Sequence, residues 1–240
     1  MRRLLLMARK PEREVMDGHD EVAAYASASS QAHLDALDNT LVEQALSLGR
    51  DGKELTGLLL DLGCGPGSIA LKIAARCPHL VVVGVDRSRT MLRVALSAAR
   101  DRGLANRAFF IAGDGNRLGF SDGAFDFVLS NSVLHHLASP ASVFEEMARI
   151  ASDGGTILVR DLRRPSWLAF PFHVRWHGRR YSGVMKKLFK DSVRAAYTPE
   201  ELAALLRASG MDAARIFLHE SSHMGFVYGA RSKTCQTGVK

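Results

Sequence analysis

Three closely spaced glycines give this sequence its clearest chemical signal. Gly63, Gly65 and Gly67 follow the apolar run 58–62 and precede a helical pattern that begins at Ser68. Glycines at such a turn let a ligand approach backbone N–H groups at a helix N-terminus. A dinucleotide fingerprint has its third Gly or Ala at the position of Ser68, so the NAD site is disfavoured. The sequence holds no G-x-x-x-x-G-K-[ST] motif, which excludes a Walker-type nucleotide site.

Polar side chains also follow the next apolar runs, where strands are expected to end. Asp86 ends the run V-G-V-D, about 20 residues past the glycines, where folds of this kind bind ribose hydroxyls. Asp114 follows the third run, and Ser130 and Asn131 follow the fourth. Ligands of open α/β sheets bind at the carboxyl ends of the strands. We therefore expect these side chains to converge on one crevice.

The elements that must position these residues alternate along the middle of the chain. Predicted strands cover residues 58–62, 81–85, 109–112, 125–129 and 156–159, and predicted helices cover 68–76, 89–102 and 140–151. Strands that alternate with helices indicate a parallel sheet with helices on both faces. The predicted fold class is α/β, a Rossmann-like doubly wound sheet.

The two ends of the chain add helices and a hairpin to this core. Apolar spacing over 31–48 predicts a helix, and the run Thr-Pro-Glu-Glu from Thr198 begins another helix that ends at Gly210. Two further strands, 214–219 and 224–228, are predicted to form an antiparallel hairpin. We divide one domain into a helical N-terminal cap (1–57), a core (58–161), an insertion (162–198) and the last helix with its hairpin (199–240).

The composition narrows the cellular setting. With 47% hydrophobic and 24% charged residues, the 240-residue chain is typical of one globular domain. No apolar run approaches the ~18 residues of a membrane span, and the N-terminal run is shorter than a signal peptide needs. The three cysteines, Cys64, Cys77 and Cys235, form no C-x-x-C pair, which excludes a disulfide framework or a zinc knuckle. We expect a cytoplasmic protein without a bound metal.

The motifs together resemble those of the class I S-adenosylmethionine-dependent methyltransferases. The matching runs are D-L-G-C-G-P-G, V-D-R-S, G-D-G and F-D-F-V-L-S-N-S-V-L-H-H-L, within residues 58–228. The resemblance is greatest to the small-molecule branch typified by the ubiquinone and menaquinone biosynthesis methyltransferases. It implies S-adenosylmethionine as cofactor, S-adenosylhomocysteine as product, and a seven-stranded, mostly parallel sheet with a C-terminal antiparallel strand.

The resemblance also implies roles for individual residues at the cofactor. The three glycines would cradle its methionine part, and Asp61 would order its amino end. Asp86 would bind the ribose hydroxyls, and Asp114 would hold the adenine amino group. The implied cofactor-binding residues are Asp61, Gly63, Gly65, Gly67, Asp86, Arg87, Met91, Asp114, Gly115 and Asn131.

Three of these positions, and one near the N-terminus, need a further comment. Met91 would pack near the adenine, and Asn131 would lie beside the sulfonium. Tyr25 is the N-terminal aromatic residue available to close over the cofactor, although the usual Tyr-Asp pairing of the family is missing there. Arg87 belongs to the V-D-R-S run.

Methyl transfer from a sulfonium is an in-line displacement in which the enzyme mainly aligns the nucleophile and removes water. An oxygen or nitrogen nucleophile can need a base, and His135, His136 and Asp161 are the candidates. A histidine with a pKa near ~6.5 accepts a proton at neutral pH. The alternative is that the two histidines merely pack after the fourth strand. Asp161 is expected to face the crevice because it ends the fifth strand.

The insertion 162–198 carries the charge of the chain. It holds nine of the 32 basic residues and one of the 25 acidic residues, a net charge of +8. The rest of the chain carries −1, which gives the total of +7. It also holds seven of the seventeen aromatic residues, both tryptophans included. Residues 183–196 form an amphipathic helix on a helical wheel, with lysines on one half. In the resembling family this position is a lid over the acceptor.

Several interpretations of the basic lid remain open. It can bind an anionic small molecule, lie on an anionic membrane through 183–196, or clamp nucleic-acid phosphate. It can also be a packed helix with a solvated basic face. Nucleic acid is disfavoured, because the run after the fourth strand is N-S-V-L instead of an N-P-P-Y-like run, and no RNA-binding module is recognisable.

Two histidine pairs have the spacing of metal ligands. His219 and His223 belong to a literal H-E-x-x-H, but that zinc site needs a helix and here the motif bridges two predicted strands. His173 and His177 are also four residues apart, yet Pro171 and the aromatic neighbours favour a loop or lid. We interpret both pairs as incidental.

The sequence thus predicts an enzyme that transfers a methyl group from S-adenosylmethionine to a small-molecule acceptor, either anionic or aromatic. One alternative is a peripheral-membrane methyltransferase that acts on a quinone-like or lipid-like acceptor. The other is a non-catalytic S-adenosylmethionine-binding module that uses its basic insertion to bind a partner.

Overall fold

A computed structural model describes residues 7–12, 28–49 and 54–229 of the chain. Tyr25 and Cys235 lie outside the described residues, as do residues 1–6, 13–27 and 50–53 of the predicted segment 1–57. No helix in the described part of the chain is long and apolar enough to cross a membrane.

Seven strands form one sheet. They are β1 (Gly57–Leu62), β2 (Leu80–Asp86), β3 (Ala108–Ala112), β4 (Phe125–Asn131), β5 (Ala151–Leu162), β6 (Arg215–His219) and β7 (His223–Gly229). Their order is β3-β2-β1-β4-β5-β7-β6. The first five strands pair in parallel, whereas β7 runs antiparallel to both β5 and β6. The predicted fold class and the antiparallel strand are confirmed.

Seven α-helices accompany the strands in the described residues. They are α1 (Ala28–Leu46), α2 (Ser68–Arg76), α3 (Arg89–Asp101), α4 (Ala141–Ile150), α5 (Phe170–His177), α6 (Gly183–Ala195) and α7 (Pro199–Ala208). Two buried apolar clusters surround the sheet, one with α1, α2 and α3 and the other with α4 and α7. This is the arrangement of a parallel sheet that helices cover on both faces.

The strand order places a crevice at the carboxyl end of β1. The chain runs outward from β1 through β2 to β3, then returns to the other side of β1 as β4. The helices that follow β1 and β4 therefore lie on different faces of the sheet. The loops that lead from these two strands into their helices diverge and leave a crevice. Ligands bind at such a switch point in open α/β sheets.

Most predicted boundaries agree with the structure, and β5 is the main exception. It begins at Ala151, although the prediction began at Thr156. Its first residues include a polar pair and two glycines, which hide the strand from a search for apolar runs. Ala151 nevertheless pairs with Phe125, and an irregularity in the register follows between Phe125 and Phe127.

The insertion contains two helices, α5 and α6. The predicted helix at 183–196 is present as α6, but the expected loop around Pro171 is the first turn of α5. Proline is well tolerated there, because the N–H groups of the first turn have no partner within the helix. A small apolar cluster, with Leu162 and Val193 in its buried part, joins the two helices to the end of β5.

The C-terminal elements follow their sequence signals closely. Thr198 accepts from the backbone N–H of Glu201, and the Glu201 carboxylate accepts from the backbone N–H of Thr198, a complete capping box. His219 ends β6 and His223 begins β7, and the backbone between them has a left-handed residue at Glu220. The H-E-x-x-H run therefore turns a hairpin and does not lie on a helix.

Candidate active site

A cavity of about 780 Å³ opens at the carboxyl ends of the central strands. All the described residues that the sequence assigns to the cofactor, with the exception of Gly67, line it: Asp61, Gly63, Gly65, Asp86, Arg87, Met91, Asp114, Gly115 and Asn131. His135 and His136 line the same cavity, whereas Asp161 does not. The structure thus brings the residues of four strand ends to one space.

The glycine turn requires glycine for two different reasons. Gly63 has φ 73° and a Cβ there would lie 2.2 Å from Cγ2 of Val133, so a side chain has no room. Gly65 has φ 52°, and a Cβ there would meet nothing within 4 Å. The left-handed conformation favours glycine at both positions. The open space above Gly65 is where a ligand can contact the backbone.

Asp61 is a buried carboxylate that lacks a counterion. Its side chain is 1% exposed, and Oδ2 has no hydrogen-bond partner within the described chain. Burial, together with the charges of Asp38 and Asp86, raises the pKa of Asp61 to about 7. A buried carboxylate in this state is stabilised by a cationic ligand. The amino group of S-adenosylmethionine supplies such a cation, so the cavity fits the cofactor at this end.

Asp38 on α1 adds a second acidic group that the sequence did not single out. It lines the cavity, and burial raises the pKa of Asp38 to about 6. Its charge, with that of Asp86, adds to the effect of burial in raising the pKa of Asp61. Asp38 lies within a helix and outside any recognisable motif, so sequence analysis did not identify it.

Asp86 holds the glycine turn to the end of β2. Its Oδ2 accepts from the backbone N–H of Gly65 at 2.8 Å, and its Oδ1 accepts from that of Ser88 at 2.8 Å. The carboxylate is partly exposed and lines the cavity. It can bind a ribose hydroxyl only while it also fixes the turn, so substitution would damage both functions.

Met91 and Asp114, which the resemblance assigns to the adenine, also line the cavity. Met91 is buried beneath the cavity, and Asp114 accepts from the backbone and the side-chain amide of Asn116 at 3.0 and 2.8 Å. These hydrogen bonds hold the pKa of Asp114 below its usual value. An ionised carboxylate at this point can accept a hydrogen bond from an amino group.

Arg160 is a cavity residue that the sequence analysis missed. It is 1% exposed and donates to Oδ1 of Asn131 at 3.0 Å, to Oγ1 of Thr40 at 2.7 Å and to the carbonyl of Leu37 at 3.0 Å. Burial lowers the pKa of Arg160 to about 10. The residue orients Asn131 and ties α1 to the sheet. A lone arginine between Val159 and Asp161 in an apolar strand was the available signal.

His135 and Asp161 form a buried pair. Nδ1 of His135 lies 2.6 Å from Oδ1 of Asp161, and the backbone N–H of His135 donates to Oδ2 at 3.2 Å. Burial acts to lower the pKa of His135, but the Asp161 carboxylate outweighs it and the net pKa is raised. Burial acts to raise the pKa of Asp161, and His135 reverses that effect too. Asp161 is 2% exposed and lies behind His135, so it can reach a ligand only through that ring.

Glu12 completes this corner of the cavity, and no sequence signal identified it. Its Oε2 lies 3.9 Å from Nε2 of His135 and 3.8 Å from Nδ1 of His136, and it accepts from Oγ of Ser192 at 2.9 Å. One ligand atom from each of the three titratable residues lies within 4.8 Å of the others. Glu12 thereby joins the N-terminal segment to the histidines and to α6.

Arg9 fixes the same segment in place. Its guanidinium donates to the carbonyls of Ala195, His135 and Leu137 at 2.6 to 3.0 Å and lies 4.1 Å above the ring of Tyr197. The segment 7–12 therefore bridges the histidine loop and the end of the insertion.

The other end of the cavity combines polar side chains, including those of the final hairpin, with apolar side chains that come mainly from the insertion. Its wall there includes Leu34, Leu162, Tyr181, Met185, Leu188 and Phe189. Four of these belong to the insertion at 181–189, so the insertion forms part of the cavity wall. The described wall includes none of the nine basic residues between 163 and 194. The basic residues of the insertion therefore do not contribute to the cavity wall.

The two incidental histidine pairs lie in different surroundings. The rings of His173 and His177 stack on α5 with centroids 4.5 Å apart, and burial lowers the pKa of His173 to about 4. The rings of His219 and His223 are 6.4 Å apart across the hairpin. His177 and His223 line the cavity, a placement that the sequence did not predict.

Comparison with known families agrees with this site. A family profile described as a methyltransferase domain matches residues 60–159. A demethylmenaquinone methyltransferase of Roseiflexus sp. (strain RS-1) is 33% identical over 164 residues, which cover 64% of this chain and 67% of that protein. A demethylmenaquinone methyltransferase of Thermus thermophilus is 32% identical over 162 residues, 63% of this chain and 73% of the relative.

Solved structures show the same fold at low sequence identity. The plantazolicin methyltransferase BpumL in complex with S-adenosylhomocysteine gives a TM-score of 0.70 at 16% identity, over 89% of this chain and 91% of that one. A methyltransferase structure from Methanococcus maripaludis gives 0.61 at 18% identity, over 85% and 93%.

The fold and the site define a methyltransferase of the Rossmann-like type. The chain belongs to the class I S-adenosylmethionine-dependent methyltransferases. It is an enzyme that transfers a methyl group from S-adenosylmethionine to a small-molecule acceptor, so the non-catalytic alternative is not retained.

Proposed function

We propose that the acceptor is a small aromatic or otherwise largely apolar molecule with an ionisable hydroxyl, and that the methyl group moves to it by in-line displacement with His135 as base. The observation that carries this proposal is that His135, held by the buried Asp161, lines the same cavity as the cofactor residues and the apolar side chains of the insertion. An enzyme needs both alignment and a base to methylate a weak nucleophile of this type.

Different residues of this chain would bind different parts of the cofactor. S-adenosylmethionine supplies an electrophilic methyl group on a sulfonium with a good leaving group. The open face of Gly65 and the unpaired carboxylate of Asp61 would bind its methionine part. Asp86 would hold the ribose, and Met91 and Asp114 would surround the adenine. These roles come from the family resemblance, and the cavity geometry supports them.

His135 would remove the acceptor proton. Asp161 holds Nδ1, so Nε2 is the nitrogen that remains to face the cavity and the Glu12 carboxylate. An Asp-held imidazole is fixed in one orientation, and the nearby negative charge stabilises the imidazolium that forms. The raised pKa of His135 makes the neutral ring a stronger base, although a larger fraction of it is protonated at neutral pH.

The cavity walls favour an apolar acceptor over an anionic one. The side chains that the insertion contributes are mostly apolar or aromatic, and its lysines do not line the cavity. The relatives from Roseiflexus and Thermus are named for demethylmenaquinone, an aromatic acceptor, which supports the same class. Our preferred example is a quinol, the reduced form of a quinone, because it carries aromatic hydroxyl groups.

A methyl-transfer screen tests the proposal directly. Purified enzyme with radiolabelled S-adenosylmethionine should label reduced naphthoquinols and other aromatic hydroxyl compounds, and should not label aliphatic carboxylates of similar size. Labelling of the carboxylates alone would contradict the acceptor class. A parallel reaction after dialysis against a chelator should be unchanged, because the proposed proton transfer uses His135 without a metal.

We also propose a cytoplasmic location. Both described cysteines, Cys64 and Cys77, are buried and free, which suits a reducing compartment.

A further inference from the structure

An exposed apolar surface covers the outside of α5. Phe172 is 75% exposed, Trp176 64%, Leu168 53% and Trp167 51%. Leu168, Phe172 and Trp176 are spaced four residues apart, so they share one side of α5 and the turn before it. The other side of α5 packs Phe170 and Val174 against the insertion's own apolar cluster. The apolar residues on the outside are therefore not needed to hold α5 in the fold.

Arginines are interleaved with these apolar side chains. Arg175 and Arg179 are exposed, and the guanidinium of Arg179 lies 4.0 Å above the ring of Trp176. Neither they nor the apolar residues line the cavity. We call the six side chains the α5 outer face: Trp167, Leu168, Phe172, Arg175, Trp176 and Arg179.

We propose that the α5 outer face docks on the surface of an anionic lipid bilayer. Indole and phenyl rings favour the boundary between headgroups and acyl chains, and neighbouring arginines bind anionic headgroups. The insertion as a whole carries +8, which complements a negatively charged bilayer. The insertion holds a single acidic residue, Asp191, and the six side chains of this face include none, so the surface matches a uniformly anionic bilayer better than the mixed charges of a protein partner.

Docking at this surface would bring the lid of the cavity to the membrane. The same insertion that carries the α5 outer face forms the cavity wall through Tyr181, Met185 and Leu188. The inference concerns a surface outside the methyl-transfer site and does not depend on the acceptor proposed above. It moves the expected membrane contact from 183–196 to α5.

The two tryptophans of the chain provide a built-in reporter, because both lie in the α5 outer face. The test adds the full-length protein to vesicles of phosphatidylcholine with and without phosphatidylglycerol. With the anionic vesicles we expect a blue shift of tryptophan emission, quenching by brominated acyl chains, and co-sedimentation that weakens as salt is raised. Unchanged emission and no co-sedimentation with either vesicle would overturn the proposal.

Substitutions that spare both tryptophans separate the two parts of the surface. Leu168→Ser with Phe172→Ser should lower the vesicle partition coefficient about tenfold or more. Arg175→Gln with Arg179→Gln should lower it about tenfold at low salt and less at high salt. Leu218→Ser is a matched control, since Leu218 is a leucine on β6 that is 56% exposed. It should leave partitioning unchanged.

Two further outcomes would contradict the proposal. A blue shift that grows with protein concentration in the absence of vesicles would show that a second copy of the chain covers the face. Equal binding of all variants would place the membrane contact elsewhere. S-adenosylhomocysteine binding, measured by calorimetry, should be the same in every variant, which separates failure of this inference from failure of the methyl-transfer site.

Discussion

The two ends of the cavity are assembled in different ways. Short local segments at the ends of β1, β2, β3 and β4 build the cofactor end. The acceptor end combines Glu12, the histidine loop, the insertion and the final hairpin, which are far apart in the sequence. A site made of local segments keeps its geometry when the rest of the chain changes. A site made of distant segments can change its ligand without affecting the cofactor.

The electrostatics of the two ends also differ. At the cofactor end, Asp61 and Asp38 are buried, and burial is the main cause that raises their pKa values. At the acceptor end, Asp161 is equally buried but its pKa is lowered, because His135 accompanies it. The proposed function assigns the binding of a positive charge to the first end and a proton transfer to the second.

The largest expected effect comes from filling the space above Gly65. Gly65→Arg should abolish binding of S-adenosylhomocysteine, a loss of more than about 100-fold, because the side chain would occupy the cofactor end and the left-handed backbone would be strained. Calorimetry measures the affinity. Gly119→Arg is the control, since Gly119 is exposed with open space around it. Near-normal binding by Gly65→Arg would remove the glycine turn from the site.

The next largest effect is expected at the acceptor end. His135→Asn should lower kcat by about 100-fold or more while leaving cofactor affinity within about twofold, and His136→Asn should lower kcat far less. In the native enzyme, log(kcat/KM) should rise with pH until it passes the raised pKa of His135, because only the neutral ring accepts a proton.

Asp161→Asn tests whether the carboxylate acts through the histidine. Without its charge, burial dominates and lowers the pKa of His135, so the rising limb of the profile should move to lower pH. The plateau should also fall, because the ring loses the partner that orients it. A lower plateau with an unshifted limb would show that Asp161 has only a structural role.

The contrast between the two ends explains what the sequence could predict. The glycine turn, Asp86 and Asp114 were identifiable because each lies at a strand end within a recognisable local pattern. The capping box at Thr198 was equally local, and the structure contains it. These features depend on residues only a few positions apart.

Residues brought in by tertiary contacts were not identifiable. Glu12 reaches the histidines only because Arg9 binds the carbonyls of the loop and of the insertion. Arg160 has hydrogen-bond partners on α1 and β4, from 29 to 123 residues away. The direction of the basic face of the insertion also depends on packing, which a helical wheel does not provide.

A smaller effect is expected from the pH dependence of cofactor binding. The ionised form of Asp61 pairs with the amino cation, and in the free enzyme the pKa of Asp61 is about 7. Affinity should therefore weaken by up to about tenfold per pH unit below 7. Asp61→Asn should remove most of this dependence and weaken binding at pH 8. A pH-independent affinity in the native enzyme would contradict the role of Asp61.

The same substitution should stabilise the empty enzyme. A carboxyl group whose folded pKa is raised ionises more readily in the unfolded chain, so it lowers the stability of the fold as pH rises from about 4 to about 7. Asp61→Asn should therefore increase the unfolding free energy of the free enzyme at pH 8 by on the order of 1–3 kcal/mol. Its Tm should rise accordingly. Thermal melts without S-adenosylhomocysteine measure the gain in stability of the free enzyme. Melts with the ligand measure the accompanying loss of ligand-induced stabilisation.

The smallest effects should separate the inner and outer sides of the insertion. Leu188→Ala opens the apolar wall and should raise the KM for the acceptor several-fold without changing cofactor affinity. Neutralising Lys186, Lys187 and Lys190 together should leave the KM for a water-soluble acceptor within about twofold, because none of the three lines the cavity. A large rise in KM for the lysine variant alone would show that the basic face approaches the acceptor after all. The anionic-acceptor interpretation would then replace the apolar one.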